Sequence, residues 1–341
     1  MREPLELRVE PSRCIRCGAC AALDPTLFDV SATTSRVARQ PGEGEELRAV
    51  AARWLCPADA IRAGSGRDAP EPSVEVSATE HGEDDRLFDT LATGAEMVRW
   101  KLADVPWSDL RASSVSPELR VVVREMAFSE NATFSATQRF LDAFGDDVEF
   151  SQWIAVWFYE ETKHPFVLME WLRRVAEPLP RDFVVRGRVS TPFMRSRVGT
   201  LVTNVISEIT VSHAYLYLAR TSPEPVLARL ASLIAGDEAR HAASFFRFAR
   251  RQLESAPDGG VREGARGLEV LHAWLSNGPN VTHPVQQMLE RLARAGAGGA
   301  LDLDYDAIRL RVVRVVGLLL DLPVRRVEDV GGVLRELLAK R

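Results

Sequence analysis

Four separated stretches of this chain put a carboxylate on an otherwise apolar helical stripe, and two of them add a histidine three residues later. Glu130 shares a face with Val123, Met126, Phe134 and Thr137. Glu161 and His164 line up with Ile154, Trp157, Leu168 and Trp171. Glu208 falls in with Leu201, Asn204, Val211 and Tyr215, and Glu238 and His241 with Ala231, Ile234 and Phe245. Residues three, four and seven apart project from one side of an α-helix, so each segment reads as an amphipathic helix aiming its ligating groups at the core. Unpaired carboxylates are prohibitively costly in such a place, so they must meet one another around cations. The separations repeat, with 31 residues from Glu130 to Glu161 and 30 from Glu208 to Glu238. Each half is therefore a helix hairpin supplying one Glu and one Glu-x-x-His, the ligand set of a carboxylate-bridged di-iron or di-manganese bundle. The predicted metal ligands, and with them the catalytic residues, are Glu130, Glu161, His164, Glu208, Glu238 and His241.

Ser116-Pro117-Glu118 and Ser222-Pro223-Glu224 mark the starts of the first and last of these helices. Pro165, directly after His164, removes the hydrogen bond to the Glu161 carbonyl and predicts a kink beside the metals. Glu269-Val-Leu-His272 also fits Glu-x-x-His, but glycines on one side and "NGPN" (277–280) on the other leave about three turns for it. That segment reads as structural. His213 and His283 lack a paired partner and read as ordinary polar residues.

The first sixty residues carry a second pattern, "CIRCGAC" (Cys14, Cys17, Cys20) followed by Cys56-Pro57. Three thiolates two residues apart with a distant Cys-Pro are spaced for an iron–sulfur cluster, whereas structural zinc draws on two separated pairs. The segment "VEPSRCIRCGACAALDPTLFDV…WLCPADAIR" resembles single-cluster bacterial ferredoxins. Some relatives lack the middle cysteine and hold a three-iron cluster. Cys17 is present here, so the resemblance implies a 4Fe–4S cluster passing one electron at a time. Residues 1–63 are the expected ferredoxin domain. Residues 64–85, "GSGRDAPEPSVEVSATEHGEDD", including His81, read as a linker that tethers the donor to an electron consumer.

A chain of 341 residues calls for one large or two unequal domains, and 46% hydrophobic residues suffice for a core. A formal charge of −5 argues against a nucleic-acid binder. The run "VVGLLL" (315–320) is too short to span a bilayer. With no secretory signal and the cysteines gathered at one site, a cytoplasmic protein is expected.

"EMAFSENATF", "WIAVWFYEETKH" and "EPVLARLASLIAGDEARH" resemble helices of the soluble acyl-carrier-protein desaturases over residues 86–255. The resemblance implies a mainly α fold: a ferritin-like di-iron four-helix bundle with extra helices, preceded by the small α+β ferredoxin domain. Residues 256–341 are expected to add packing or dimerisation helices, giving a homodimer. It also implies that Glu160 and Asp237 orient the ligand histidines from behind, Glu160 with His241 and Asp237 with His164. Two related families are disfavoured by position. Leu168 stands where a radical-storing reductase subunit has tyrosine, and Ile234 where the p-aminobenzoate N-oxygenases have an extra histidine.

Where the desaturases carry a threonine three residues after the third-helix glutamate, this chain has Val211. Ser212, at the next position, matches the threonine of bacterial multicomponent hydroxylases and is a candidate catalytic residue. The implied activity is O₂-dependent desaturation of an acyl chain on acyl-carrier protein or CoA. Electrons would come from a ferredoxin reductase with NAD(P)H. Hydroxylation or N-oxygenation in secondary metabolism is the alternative, and iron storage a more distant one, disfavoured by the fused donor. An arginine-rich crossover (Arg173, Arg174, Arg181, Arg186, Arg188, Arg195, Arg197) offers a face for an acidic carrier.

Overall fold

A computed structural model describes residues 5–31, 33–64, 87–189, 196–257, 260–276, 283–297, 299 and 301–339. Apart from Gly64, the predicted linker lies outside the described residues, as do His81, Arg195 and the "NGPN" stretch.

The N-terminal part is built from two antiparallel strand pairs and two helices. Strand β1 (Leu7–Val9) pairs with β4 (Ile61–Ala63), and β2 (Phe28–Val30) with β3 (Ser35–Val37). Helix α1 (Ala19–Leu23) follows Cys14 and Cys17 and carries Cys20 in its first turn, and α2 (Glu46–Leu55) leads to Cys56. Gly18 caps α1 at φ 79°, a left-handed conformation that suits glycine.

The remainder is helical. Helix α3 (Leu87–Val98) leads through short 3₁₀ turns to α4 (Pro117–Glu130), whose cap Ser116 accepts the amide of Leu119. The expected stripe through Phe134 and Thr137 is broken: α4 ends at Glu130, and α5 (Thr133–Ala143) starts after Asn131, whose amide donates to the Ala127 carbonyl at 2.7 Å. That side chain competes with the backbone at the helix end. Helix α6 (Val148–Arg174) runs on through the buried Pro165.

After the short α7 (Phe183–Gly187), α8 (Arg197–Thr221) and α9 (Pro225–Glu254) pack along each other as the long central pair. The cap of α9 is Glu224 rather than Ser222. Its carboxylate accepts the amides of Val226 and Leu227 and, at 2.7 Å, the indole of Trp171. That second partner explains how a fully buried carboxylate can cap a helix here.

Helices α10 (Val261–Leu275) and α12 (Tyr305–Leu320) pack on α8, α11 (Pro284–Arg294) chiefly on α4, and α13 (Val327–Ala339) on α10 and α12. Helix α10 is longer than its glycines suggest, because Gly267 is a close-packing position. A β-carbon there would stand 2.8 Å from Leu320 and 3.2 Å from Val202. Glu269 pairs with Arg266 at 2.8 Å and is not among the carboxylates that gather with His164 and His241. Among the described residues, no helix is long and apolar enough to cross a membrane.

Candidate metal centres

Helices α4, α6, α8 and α9 bring the six predicted ligands into one buried cluster. Their ligating atoms fall into two sets, Glu130–Glu161–His164 and Glu161–Glu208–Glu238–His241, each with all atoms within 4.8 Å of one another. Nδ1 of His241 lies 3.0 Å from Glu161, 3.6 Å from Glu238 and 3.8 Å from Glu208. Nδ1 of His164 lies 3.3 Å from Glu238 and 3.7 Å from Glu130. Glu161 also lies 4.0 Å from Nδ1 of His164, so Glu161 and Glu238 each approach both histidines.

The test of fit is the hydrogen-bond inventory. Nδ1 of both histidines and Oε1 of Glu161 are buried without a hydrogen bond. Orphaned polar atoms are rare in a core, and three facing one another fit a cation pair. Both far ring nitrogens are engaged. Nε2 of His241 is 3.0 Å from Glu160, and Nε2 of His164 is 3.1 Å from Asp237. Each carboxylate comes from the helix opposite its histidine, so the Nε2 proton is held and Nδ1 is left as the ligating atom.

The electrostatics are those of crowded charge. Burial pushes Glu130 up to about 7, with the charge of Glu238 adding to it. Burial and Glu238 also push Glu208 well above the usual carboxylate range. Glu160 goes the other way: although burial opposes it, Arg240 and His241 hold it near about 2. Asp237 is likewise held far down by Arg240 and His164 against its burial.

Several contributors escaped the sequence reading. Trp100 donates its indole N–H to Asp237 at 2.8 Å, and Lys163 sits 3.7 Å from the same carboxylate. Thr133 donates to Glu161 at 2.9 Å, and the Tyr215 hydroxyl donates to Glu130. Only Tyr215 had a signal, being on the Glu208 stripe. The Ser212 hydroxyl donates to the Ile209 carbonyl at 2.9 Å, and its neighbour Val211 lines the adjoining cavity. His213 bonds the Ile209 carbonyl at 2.8 Å, whereas His283 lines the cavity wall.

That cavity, about 140 Å³ and open to solvent, adjoins Glu130, Glu161, Glu208 and Glu238. Its wall is mixed. Met126, Trp157, Val211, Val270, Val285 and Met288 are apolar, and Thr200, Thr203, Asn204 and Ser207 form a polar stripe down α8.

Cys14, Cys17, Cys20 and Cys56 all line a second, much smaller pocket with Val9, Ile15 and Ile61. Amides of Arg16 and Ser35 point at Cys14 Sγ at 3.4 Å, and that of Ala60 at Cys56 Sγ at 3.3 Å. Burial pushes the Cys20 thiol up to about 12. Four such thiols converging on apolar space fit a cluster that takes them as thiolates and shares their charge.

Comparisons with known proteins agree in part. Residues 9–63 match the family described as the 4Fe–4S single cluster domain of Ferredoxin I. The chain is 28% identical over 171 residues to stearoyl-(acyl-carrier-protein) 9-desaturase 6, chloroplastic, of Arabidopsis thaliana, covering 44% of this chain and 43% of the relative. It is 24% identical over 269 residues to acyl-(acyl-carrier-protein) desaturase 6, chloroplastic, of Oryza sativa subsp. indica, covering 63% and 64%. The chain thus spans less than two thirds of either relative. Among solved structures, an R2-like ligand-binding oxidase with reconstituted metal cofactor is 17% identical with a TM-score of 0.45, covering 70% of this chain and 94% of that one.

Proposed function

We propose that the chain is an O₂-dependent di-iron oxidoreductase that draws electrons from its own 4Fe–4S domain and desaturates an acyl chain carried on acyl-carrier protein or CoA. The observation that carries this reading is the pair of orphaned Nδ1 atoms facing a shared Glu161, which itself lines an open cavity. Iron held there would supply O₂ activation and hydrogen abstraction, with the cluster supplying one electron at a time. The desaturation consumes O₂, two electrons and two protons, removes two hydrogens from adjacent carbons, and releases two waters. A ferredoxin reductase with NAD(P)H would replenish the electrons.

The chain's own residues do the rest. Glu130, Glu161, Glu208 and Glu238 with His164 and His241 hold the metals, and Glu160 and Asp237 fix the two rings. Thr133 and the Tyr215 hydroxyl orient Glu161 and Glu130 from outside the metal pair. Trp157, Met126 and Val211 keep the cavity floor apolar, which excludes water from the reacting C–H bonds. The similarity to acyl-carrier-protein desaturases supports the acyl substrate. The arginine crossover supports a carrier less well, because Arg173 and Arg174 pair with Glu170 and Arg197 with Asp146.

A second reading, hydroxylation of a smaller polar substrate, is favoured by the α8 stripe. Thr203, Asn204 and Ser207 donate to the Gly199, Thr200 and Asn204 carbonyls at 2.9, 2.8 and 3.0 Å. With the hydroxyl protons of Thr203 and Ser207 engaged on the helix, their oxygens are left to accept, and Asn204 keeps its amide oxygen and a second N–H, which suits a polar substrate. Turnover with reductase, NAD(P)H and isotopically labelled O₂ separates the two. A label-free product lighter by two hydrogens supports desaturation, one labelled oxygen supports hydroxylation, and unchanged substrate across acyl and amine panels defeats both.

A further inference from the structure

We infer that the ferredoxin segment works as a fixed part of the bundle, not as a donor swinging on its linker, with Gly236 and Arg240 as the positioning residues of its seat. The inference rests on the proposed metal centres only for its electron-transfer consequence.

The seat lies on α9, the helix that carries Glu238 and His241. A β-carbon on Gly236 would stand 3.4 Å from Cys17 Cβ and 3.6 Å from Cys17 Cα, so the Cys17 backbone occupies the space a larger residue would need. One turn on, Arg240 is 4% exposed. Its Nη1 donates to the Cys17 carbonyl at 3.0 Å and the Gly236 carbonyl at 3.3 Å. Its Nη2 donates to Asp237 at 2.5 Å and Glu160 at 3.3 Å.

Gly18 fits against the same guanidinium arm, where a β-carbon would meet Val98 at 3.2 Å and Arg240 Cδ at 3.5 Å. On the far side Arg311 of α12, 7% exposed, donates to the Cys56 carbonyl at 2.9 Å and the Trp54 carbonyl at 2.7 Å, and pairs with Asp59.

Two helices thus each bury an arginine on the carbonyl of a cluster cysteine. A buried cation is tolerated only with partners in place. These two keep their full set only while the segment is seated, which is the signature of a permanent interface. The seat also completes a line of hydrogen bonds: the Cys17 carbonyl to Arg240, Arg240 to Glu160, and Glu160 to His241. Each electron passed along it would oxidise the cluster by one and convert one ferric ion to ferrous, so two passages prepare one O₂ reaction.

The test places a protease site between residues 70 and 80 of the full chain, cleaves the folded protein, and follows both pieces by size exclusion at the cluster's visible absorption. The two pieces are expected to co-elute one to one. Gly236→Ala is expected to preserve this and Gly236→Leu to abolish it. Arg311→Gln, remote from the bundle metals, is expected to loosen it and Arg311→Lys to restore it. In uncut protein, electron transfer from the pre-reduced cluster should keep its rate in Gly236→Ala and, in Gly236→Leu, slow and vary with linker length.

Separation of the wild-type pieces, or an unchanged rate in Gly236→Leu, overturns the inference. Bundle iron and cluster content are measured on the same samples. Co-elution without bundle iron sustains the seat and defeats the di-iron reading; separation with bundle iron intact does the reverse.

Discussion

Arg240 donates a hydrogen bond at 3.0 Å to the backbone carbonyl of Cys17, 223 residues earlier in the chain. The same guanidinium touches Asp237 and Glu160, the carboxylates behind the two histidines. One side chain therefore ties the cysteine cradle to the groups that orient His164 and His241, and it supplies the charge that keeps both carboxylates ionised in the core.

Removing that charge should be severe. Arg240→Gln leaves two buried carboxylates short of their cation, and breaking a buried pair in this way costs about 3–5 kcal/mol. Denaturant unfolding should show the loss, with Arg240→Lys recovering part of it.

Glu161 and Glu238 each face both histidines, so either alanine substitution should abolish iron pairing in the bundle. The cysteine cradle is a separate site, and the cluster's visible absorption should persist in both variants. Iron analysis beside the absorption spectrum checks the two together.

Glu160→Gln and Asp237→Asn leave every ligating atom in place but weaken the hold on His241 and His164. Iron affinity should fall by roughly 10–100-fold, the usual effect of losing such a partner. Competition against a chelator gives the number.

The metal-free protein should lose stability as pH rises. Glu130 is raised from 4.5 to about 7 in the fold, and Glu208, His164 and His241 are raised too. A raised group contributes stability that is fully present below its unfolded value and lost as pH passes its folded one. The Tm of the metal-free chain should therefore fall between pH 4.5 and the region just above 7. Bound metal displaces those protons, so the iron-loaded chain should show a flatter profile over the same range.

The ligand cluster was legible because helix geometry makes i and i+3 neighbours, and a carboxylate on an apolar stripe is too costly to stand there without a cation. The cysteines were legible for a similar reason, since their spacing is local. What stayed hidden depends on contacts between distant segments. Arg240 reads as a charge at a stripe's edge until Cys17, Asp237 and Glu160 surround it, and Trp100 lies in a stretch with no period at all. The stop of α4 at Glu130 turns on one asparagine bonding back to Ala127. Ser212 donates back to the Ile209 carbonyl, a local bond that matching by motif does not reveal. The linker composition suggested a loose tether, whereas two buried arginines hold the cysteine-bearing segment against α9 and α12.

The most direct test of the account is Mössbauer spectroscopy of the chain loaded with isotope-enriched iron. Two spectral components are expected, a 4Fe–4S cluster and a coupled high-spin ferric pair, with the pair alone missing in Glu161→Ala. A spectrum showing the cluster and no coupled pair in the wild-type chain would contradict it.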